Sequence, residues 1–113
     1  MEGEVLKGHL DMILLSALAR GPAHGYAIIE AIRLRSGGNF NLPEGTIYPA
    51  LHRLESAGLL DSKWTASESG RRRRTYQLTP GGRGALTQQK TMWRQFAAAM
   101  EGMIGKAARV PSV

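Results

Sequence analysis

Apolar side chains recur at helical spacing through the first half of the chain. In the first 20 residues they form one stripe on a predicted helix, at Leu6, Leu10, Ile13, Leu14, Ala17 and Leu18. The stripe stops at Gly21-Pro22, because this pair supplies a helix-ending glycine and a residue that cannot continue the helix. A second helix is predicted over residues 24–35 and ends before Gly37-Gly38. Its predicted buried residues are Tyr26, Ile29 and Ile32.

A third helix is predicted over residues 46–57. Its apolar side consists of Ile47, Leu51 and Leu54. Pro49 would break a helix interior, but with Thr46 as the N-cap it falls at the third helical position, where its missing N–H has no partner to lose. Gly58 is predicted to end this helix.

The period of the pattern changes between Leu60 and Thr79. Leu60, Ser62 and Trp64 alternate with polar neighbours, and residues 75–78 alternate again. A cluster of Ser, Glu and Gly at positions 67–70 separates the two segments, so the pattern predicts a β-hairpin. The predicted turn carries four consecutive arginines, Arg71, Arg72, Arg73 and Arg74. Trp64 is assigned to packing on the hairpin.

The pattern predicts another helix from Pro80 onward. Its apolar residues follow a heptad seam, at Leu86, Trp93, Phe96, Met100 and Met103. A helix from Pro80 to about Lys106 is roughly 40 Å long at 1.5 Å per residue, which is longer than the preceding domain can cover. Part of the seam therefore needs a second surface.

This order of elements predicts a mainly α fold. Three helices and a two-stranded β wing form a winged helix-turn-helix, followed by a long C-terminal dimerisation helix. The predicted divisions are a DNA-binding domain over residues 1–79, the dimerisation helix over 80–106 and a flexible tail over 107–113.

The distribution of charge favours a polyanionic partner. The 113 residues carry a net charge of +6. Residues 1–61 hold five basic and seven acidic side chains, whereas residues 62–113 hold ten basic and two acidic ones. The positive field therefore belongs to the second half. The absence of cysteine, of a long apolar segment and of a basic N-terminus predicts a soluble, cytoplasmic protein.

An enzyme is not expected. The three histidines, His9, His24 and His52, fall on different predicted elements, and neither cysteine nor a pair of carboxylates accompanies them. The glycines at positions 81, 82 and 84 follow a hairpin and lack the lysine and serine of a phosphate-binding loop. We therefore expect no catalytic site, no metal site and no cofactor.

The third helix and the hairpin carry side chains suited to duplex DNA. Such a helix enters the major groove, while basic residues on the wing contact the flanking backbone. The candidate DNA-binding residues are Thr46, Tyr48, Pro49, His52, Arg53, Arg71, Arg72, Arg73 and Arg74.

Three runs of sequence resemble one family. They are His-Gly-Tyr at residues 24–26, Glu-Gly-Thr-Ile-Tyr-Pro-Ala-Leu-His-Arg-Leu-Glu-Ser-Ala-Gly-Leu at 44–59 and Gly-Arg-Arg-Arg-Arg-Thr-Tyr-Gln-Leu-Thr at 70–79. In this order they are similar to the phenolic-acid-decarboxylase-regulator (PadR) family of bacterial transcription regulators, in its branch with a single C-terminal helix. The resemblance implies a homodimeric repressor whose winged domain binds operator DNA and whose C-terminal helix pairs with that of its mate, while the effector does not carry over. Two-fold symmetry predicts an inverted-repeat operator, and release by a small-molecule effector is a further expectation. Many relatives have an aromatic pair where this chain has Thr75-Tyr76.

Trp93 lies at the middle of the seam and has two interpretations. It packs as interface core, or it forms with its symmetry mate a flat slot for a planar aromatic effector. The candidate effector-binding residues are Gln89, Trp93, Phe96, Ala97 and Met100.

A ligand-binding or membrane-surface interaction protein that uses the amphipathic C-terminal helix is the alternative function. Against a membrane, the basic residues of that helix are too sparse for a polybasic face.

Overall fold

The computed structural model describes residues 3–105. Its N-terminal stripe is divided between two helices, α1 (Gly3–Lys7) and α2 (Leu10–Leu18). Between them the His9 N–H donates to the Leu6 carbonyl three residues earlier, at 2.9 Å, which closes a tight turn at Gly8. The prediction of one continuous helix is wrong at this point, because glycine is a weak helix former and the chain turns there.

Strand β1 (Ala23–His24) leads directly into helix α3 (Gly25–Arg35). The predicted helix is confirmed, and Ile28 and Ile32 are buried on its inner side. Tyr26 is 62% exposed, so its predicted burial is wrong. At 100° per residue, Tyr26 points away from the side of the helix that carries Ile28.

Helix α4 (Glu44–Ser56) begins two residues before the predicted start. Pro43 is the N-cap, and the Thr46 N–H donates to the Pro43 carbonyl at 2.9 Å. Thr46 is therefore inside the helix, and the predictions of Thr46 as N-cap and Pro49 at the third position are wrong. Pro49 is the sixth helical residue and offers no N–H to the carbonyl of Gly45. The predicted core side is confirmed, since Ile47, Leu51 and Leu54 are buried.

Gly58 ends α4, as predicted, and redirects the chain. Its φ of +79° is in the left-handed region that favours glycine. The N–H groups of Gly58 and Leu59 donate to the carbonyls of Glu55 and Leu54, both at 3.0 Å. These bonds satisfy the last carbonyls of the helix and lead the chain into the sheet.

The sheet has three antiparallel strands in the order β1-β3-β2, where β2 is Leu60–Ala66 and β3 is Arg72–Leu78. The predicted hairpin is confirmed, with Leu60 paired to Leu78 and Ala66 paired to Arg72. β1 adds a third strand that sequence reasoning missed. Its two residues are too few to show an alternating pattern.

β2, β3 and the turn between them form the wing. Within the wing, the predicted placement of all four arginines in the turn is wrong. The turn closes by bonds from Ser67 N–H to the Arg71 carbonyl and from Gly70 N–H to the Ser67 carbonyl, both at 2.9 Å. Arg72, Arg73 and Arg74 are residues of β3, so they alternate between the two faces of the sheet.

Helix α5 (Pro80–Ile104) confirms the predicted long helix. Thr79 caps it by accepting the Gly82 N–H at 3.0 Å, and its hydroxyl donates to the Gly58 carbonyl at 2.6 Å. Gly82 lies so close to the Leu59 carbonyl that a Cβ would overlap it. The predicted end near Lys106 and the predicted tail over residues 107–113 lie outside the described residues.

One hydrophobic core is shared by the four helices α1 through α4, the sheet and the start of α5. Its most deeply buried members are Leu14, Leu15, Leu18, Ile28, Ile47, Leu51, Leu54 and Leu60. From α5, Leu86 is buried against this core, whereas the large apolar side chains beyond Gln89 are exposed. No helix within residues 3–105 is long and apolar enough to cross a membrane.

Candidate nucleic-acid interface

The outward side of α4 gathers most of the predicted base-contacting residues. Tyr48, Pro49, His52 and Arg53 are exposed, whereas Thr46 is half-buried. The burial of Ile47, Leu51 and Leu54 against the core fixes which side of α4 faces solvent. The structure therefore presents these candidates together on one helix surface.

Tyr48 packs against the first residue of α3. A Cβ at Gly25 would overlap the carbons and the hydroxyl of the Tyr48 ring. A larger residue at position 25 would therefore displace the Tyr48 ring from this position. The glycine of the His24-Gly25-Tyr26 run thus has a structural reason that sequence reasoning did not identify.

Arg53 is held by an acid on another helix. Its Nη2 lies 2.5 Å from Asp11 Oδ1, and its Nη1 lies 3.2 Å from Asp11 Oδ2. The hydrogen bond to Asp11 raises the pKa of Arg53. The pair is exposed, so it contributes about 1 kcal/mol or less to stability. The candidate base reader is therefore tied to α2 in this structure.

One face of the wing carries an arginine-tryptophan cluster. The guanidinium carbons of Arg72 and Arg74 lie 5.1 and 5.5 Å from the centroid of the Trp64 ring, within range of a cation–π interaction. Arg74 also lies 3.6 Å from the carboxylate of Glu55, which accepts a hydrogen bond from Ser62. Trp64 is 54% exposed and contacts two arginines, of which Arg74 lies beside α4.

The same cluster borders the sheet tyrosine. Burial and the nearby Glu55 carboxylate raise the pKa of Tyr76 above its usual value. Tyr76 is buried in the hydrophobic core, so it is a packing residue of β3.

The opposite face of the wing meets the start of α3. Arg73 Nη1 lies 2.9 Å from His24 Nε2, and His24 Nδ1 lies 3.3 Å from the Ala27 backbone nitrogen. Partial burial and the neighbouring Arg73 lower the pKa of His24 from its ordinary value. Sequence reasoning placed His24 near a helix start but missed this contact, because Arg73 is 49 positions away.

The candidate effector residues are divided by the structure. Gln89, Trp93 and Phe96 line a cavity of about 530 Å³ beside the turn between α1 and α2, and Arg53 and Asp11 also line it. Ala97 and Met100 lie further along α5 and do not line it.

Trp93 separates this cavity from a second one. Its ring lies edge-on to His9 at 5.4 Å between centroids and 6.1 Å from the Phe96 ring. On its other side a cavity of about 360 Å³ opens between α2, α3 and α5, lined by Ile13, Phe40 and other residues. Within residues 3–105, no three His, Asp or Glu side chains come together as metal ligands.

Comparison with a sequence family gives a match over most of these elements. The family described as "Transcriptional regulator PadR-like family" matches residues 14–88, which run from α2 into the first third of α5. The chain is also 36% identical over 99 residues to the transcriptional regulator Rv3488 of Mycobacterium tuberculosis, covering 88% of this chain and 89% of that one.

Solved structures show the same fold. A transcriptional regulator from Clostridium thermocellum superposes with a TM-score of 0.81 at 30% identity, covering 91% of this chain and all of that one. A PadR family transcription regulator from Clostridium difficile superposes with a TM-score of 0.76 at 35% identity, covering 87% and 100% of the two chains. The predicted winged-helix fold is thereby confirmed, as is the prediction of a regulator rather than an enzyme. The chain belongs to the PadR-like family of transcriptional regulators.

Proposed function

We propose that the chain is a homodimeric repressor that binds an inverted-repeat operator and is released by a small-molecule effector. The carrying observation is that α4 and the wing both contact the start of α3. Gly25 receives the ring of Tyr48 from α4, and His24 contacts Arg73 from the wing. A helix for the major groove and a basic strand for the backbone are thus held in a fixed relation, which duplex recognition requires.

The two elements have different roles in this proposal. The exposed side of α4 reads base edges through Thr46, Tyr48, Pro49, His52 and Arg53. The wing supplies phosphate contacts through Arg71, Arg72, Arg73 and Arg74. Arg53 contacts a base only after leaving Asp11, so this ion pair is part of the cost of specific binding.

The second half of α5 supports a dimer. Its exposed apolar side chains are Met92, Trp93, Phe96, Met100, Met103 and Ile104, between 41 and 83% exposed. A continuous apolar stripe of this kind is covered in solution by another surface. The occupant we propose is α5 of a second copy, because the stripe keeps the heptad spacing of a helix pair. Two-fold symmetry then places the two α4 helices about 34 Å apart on an inverted repeat.

The effector is a planar aromatic small molecule bound by Gln89, Trp93, Phe96, Ala97 and Met100. The cavity beside Trp93 supports the assignment of Gln89, Trp93 and Phe96, whereas Ala97 and Met100 lie outside it. It combines aromatic walls with a buried Gln89 Oε1 that has no hydrogen-bond partner among the described residues. The Asp11–Arg53 pair lines the same cavity. A ligand in this cavity changes the affinity of the protein for DNA by a factor equal to the ratio of the ligand's affinities for the free and the DNA-bound protein.

Selection of genomic fragments by the purified protein, followed by footprinting, tests this function. Enriched duplexes that share an inverted repeat, with protection over two half-sites about one helical turn apart, are the expected result. Fragments bound without a common sequence would contradict the operator proposal. Expression of a reporter gene from a promoter that contains the recovered site, with and without the protein, distinguishes repression from activation.

A further inference from the structure

His24 lies between two hydrogen-bond donors. Its Nδ1 is 3.3 Å from the Ala27 nitrogen, one of the first N–H groups of α3, which have no partner within the helix. Its Nε2 is 2.9 Å from Nη1 of Arg73, and a guanidinium only donates. Both neighbours therefore require a lone pair from the same imidazole.

A neutral imidazole has one acceptor nitrogen, and a protonated one has none. The tautomer with hydrogen on Nδ1 accepts from Arg73 and leaves Ala27 without a cap. The tautomer with hydrogen on Nε2 caps α3 and loses the bond to Arg73. The two contacts of His24 are therefore alternatives.

The free protein favours the contact with Arg73. That contact is the shorter of the two, and a charged donor makes a hydrogen bond roughly twice as strong as a neutral one. The start of α3 is then without its side-chain cap until Arg73 finds another acceptor. A DNA phosphate is such an acceptor.

We propose that His24 is a positioning residue that exchanges Arg73 for Ala27 when DNA binds. In the free protein it orients Arg73 on the wing. When a phosphate takes Arg73, Nδ1 releases its proton to water, Nε2 takes one from water, and Nδ1 then accepts the Ala27 N–H. The net charge of the ring does not change. The DNA-driven half of this exchange rests on the function proposed above.

The exchange of hydrogen bonds at His24 couples the wing to α4. The residue after His24 is Gly25, on which the ring of Tyr48 rests. Capping α3 orders the support of Tyr48 at the moment when the wing is engaged. Wing contact and ordering of α4 are then coupled through the first turn of α3.

The exchange itself is tested without DNA. ¹⁵N spectra of the histidine rings at pH 8, above the ordinary histidine pKa, report which nitrogen carries the hydrogen. His9→Gln and His52→Gln variants assign the signals of His24. We expect hydrogen on Nδ1 in the wild type and on Nε2 in Arg73→Ala.

The Ala27 amide provides a second measurement of the exchange. In Arg73→Ala its hydrogen exchange should slow about five-fold, the factor that a typical N-cap gives. Arg71→Ala removes an equal charge outside the contact and should change neither measurement. The same ring tautomer in wild type and Arg73→Ala would overturn the proposal.

The coupling is tested with an operator duplex. Saturating the wild type with duplex should shift the His24 signals and the Ala27 exchange rate to the values of free Arg73→Ala. In His24→Asn the amide oxygen caps α3 at all times, so duplex should bind without further slowing exchange at Ala27. Duplex that binds the wild type while His24 keeps hydrogen on Nδ1 would refute the coupling. A chain that binds no duplex refutes the proposed function, while the Arg73→Ala result still decides the exchange.

Discussion

Protonation of His24 removes its only acceptor and places a positive charge beside Arg73 and the start of α3. Partial burial and Arg73 lower its pKa in the folded protein below the usual 6.5. A histidine with a lowered pKa stabilises the fold above the unfolded-state pKa, and this contribution is lost as the pH falls through the folded-state pKa. We expect the free energy of unfolding in urea to fall more between pH 8 and pH 5 in wild type than in His24→Asn. Parallel pH profiles of the two proteins would contradict this.

Asp11 forms an ion pair with the exposed Arg53 of α4. Asp11→Asn removes the ion pair and a negative charge, so the guanidinium becomes available to DNA. We expect a several-fold gain in affinity for the operator duplex by fluorescence anisotropy, with a loss of stability of about 1 kcal/mol or less. Glu4→Gln removes an equal charge from α1 and is the control. An equal gain in both variants would show that net charge, and not release of Arg53, is responsible.

For individual residues, the sequence predicted which side chains are exposed better than it predicted which side chains they contact. It selected Tyr48, His52 and Arg53 correctly as surface residues of α4, because helical periodicity separates them from the buried Leu51 and Leu54. It could not find the partners of Arg53 and His24, which lie 42 and 49 positions away in the chain. Such pairs depend on how elements pack, which the spacing of residues along one element does not report.

The wing is the element whose charge is most concentrated. Replacing Arg72 and Arg73 by Ala should weaken binding to operator and to random duplex alike, because phosphate contacts do not depend on sequence. The slope of log affinity against log salt should become shallower by about one unit for each lost contact. Arg83→Ala combined with Lys90→Ala removes the same charge from α5 and should leave the slope near the wild-type value. An unchanged slope in the wing variant would exclude these contacts.

The ends of helices were predicted less well from the sequence than the helices themselves. The proline of α4 was taken as a marker of the helix start, but Pro43 caps the helix and Pro49 lies inside it. The loss of one backbone bond is tolerated there because four buried side chains of α4 anchor it to the core. The long α5 was predicted correctly, since Thr79-Pro80 is a strong start signal and the heptad spacing continues for many turns.

The whole molecule is elongated by α5, which extends well beyond the core. If the exposed seam joins two copies, Phe96→Asp should give a monomer, because it buries a charge in an apolar interface. Light scattering at micromolar concentration should find a dimer for the wild type and for Gln95→Asp, which places the same charge off the seam. A monomeric wild type, or a dimeric Phe96→Asp, would contradict the proposed interface.

For the whole molecule, the sequence predicted the fold class and an apolar seam on α5 that needs a second surface. It did not predict the cavities. The cavity beside Trp93 is built from α5, the end of α1, the turn at Gly8, the start of α2 and one residue of α4. Its shape follows from the break between α1 and α2, which the continuous apolar stripe concealed. Three of the five effector candidates share a cavity wall, whereas Ala97 and Met100 do not reach it.

The short length of β1 has a consequence for solubility. β1 pairs only with Thr75 and Tyr76, so the outer edge of β3 beyond them has no strand beside it among the described residues. An open strand edge is a template for aggregation, and charged side chains are a common protection against it. Arg72, Arg73 and Arg74 supply that protection on this strand. The arginine run thus opposes pairing of this part of β3 with a strand of another molecule, and a β3 strand without these charges gains a tendency to form intermolecular sheets.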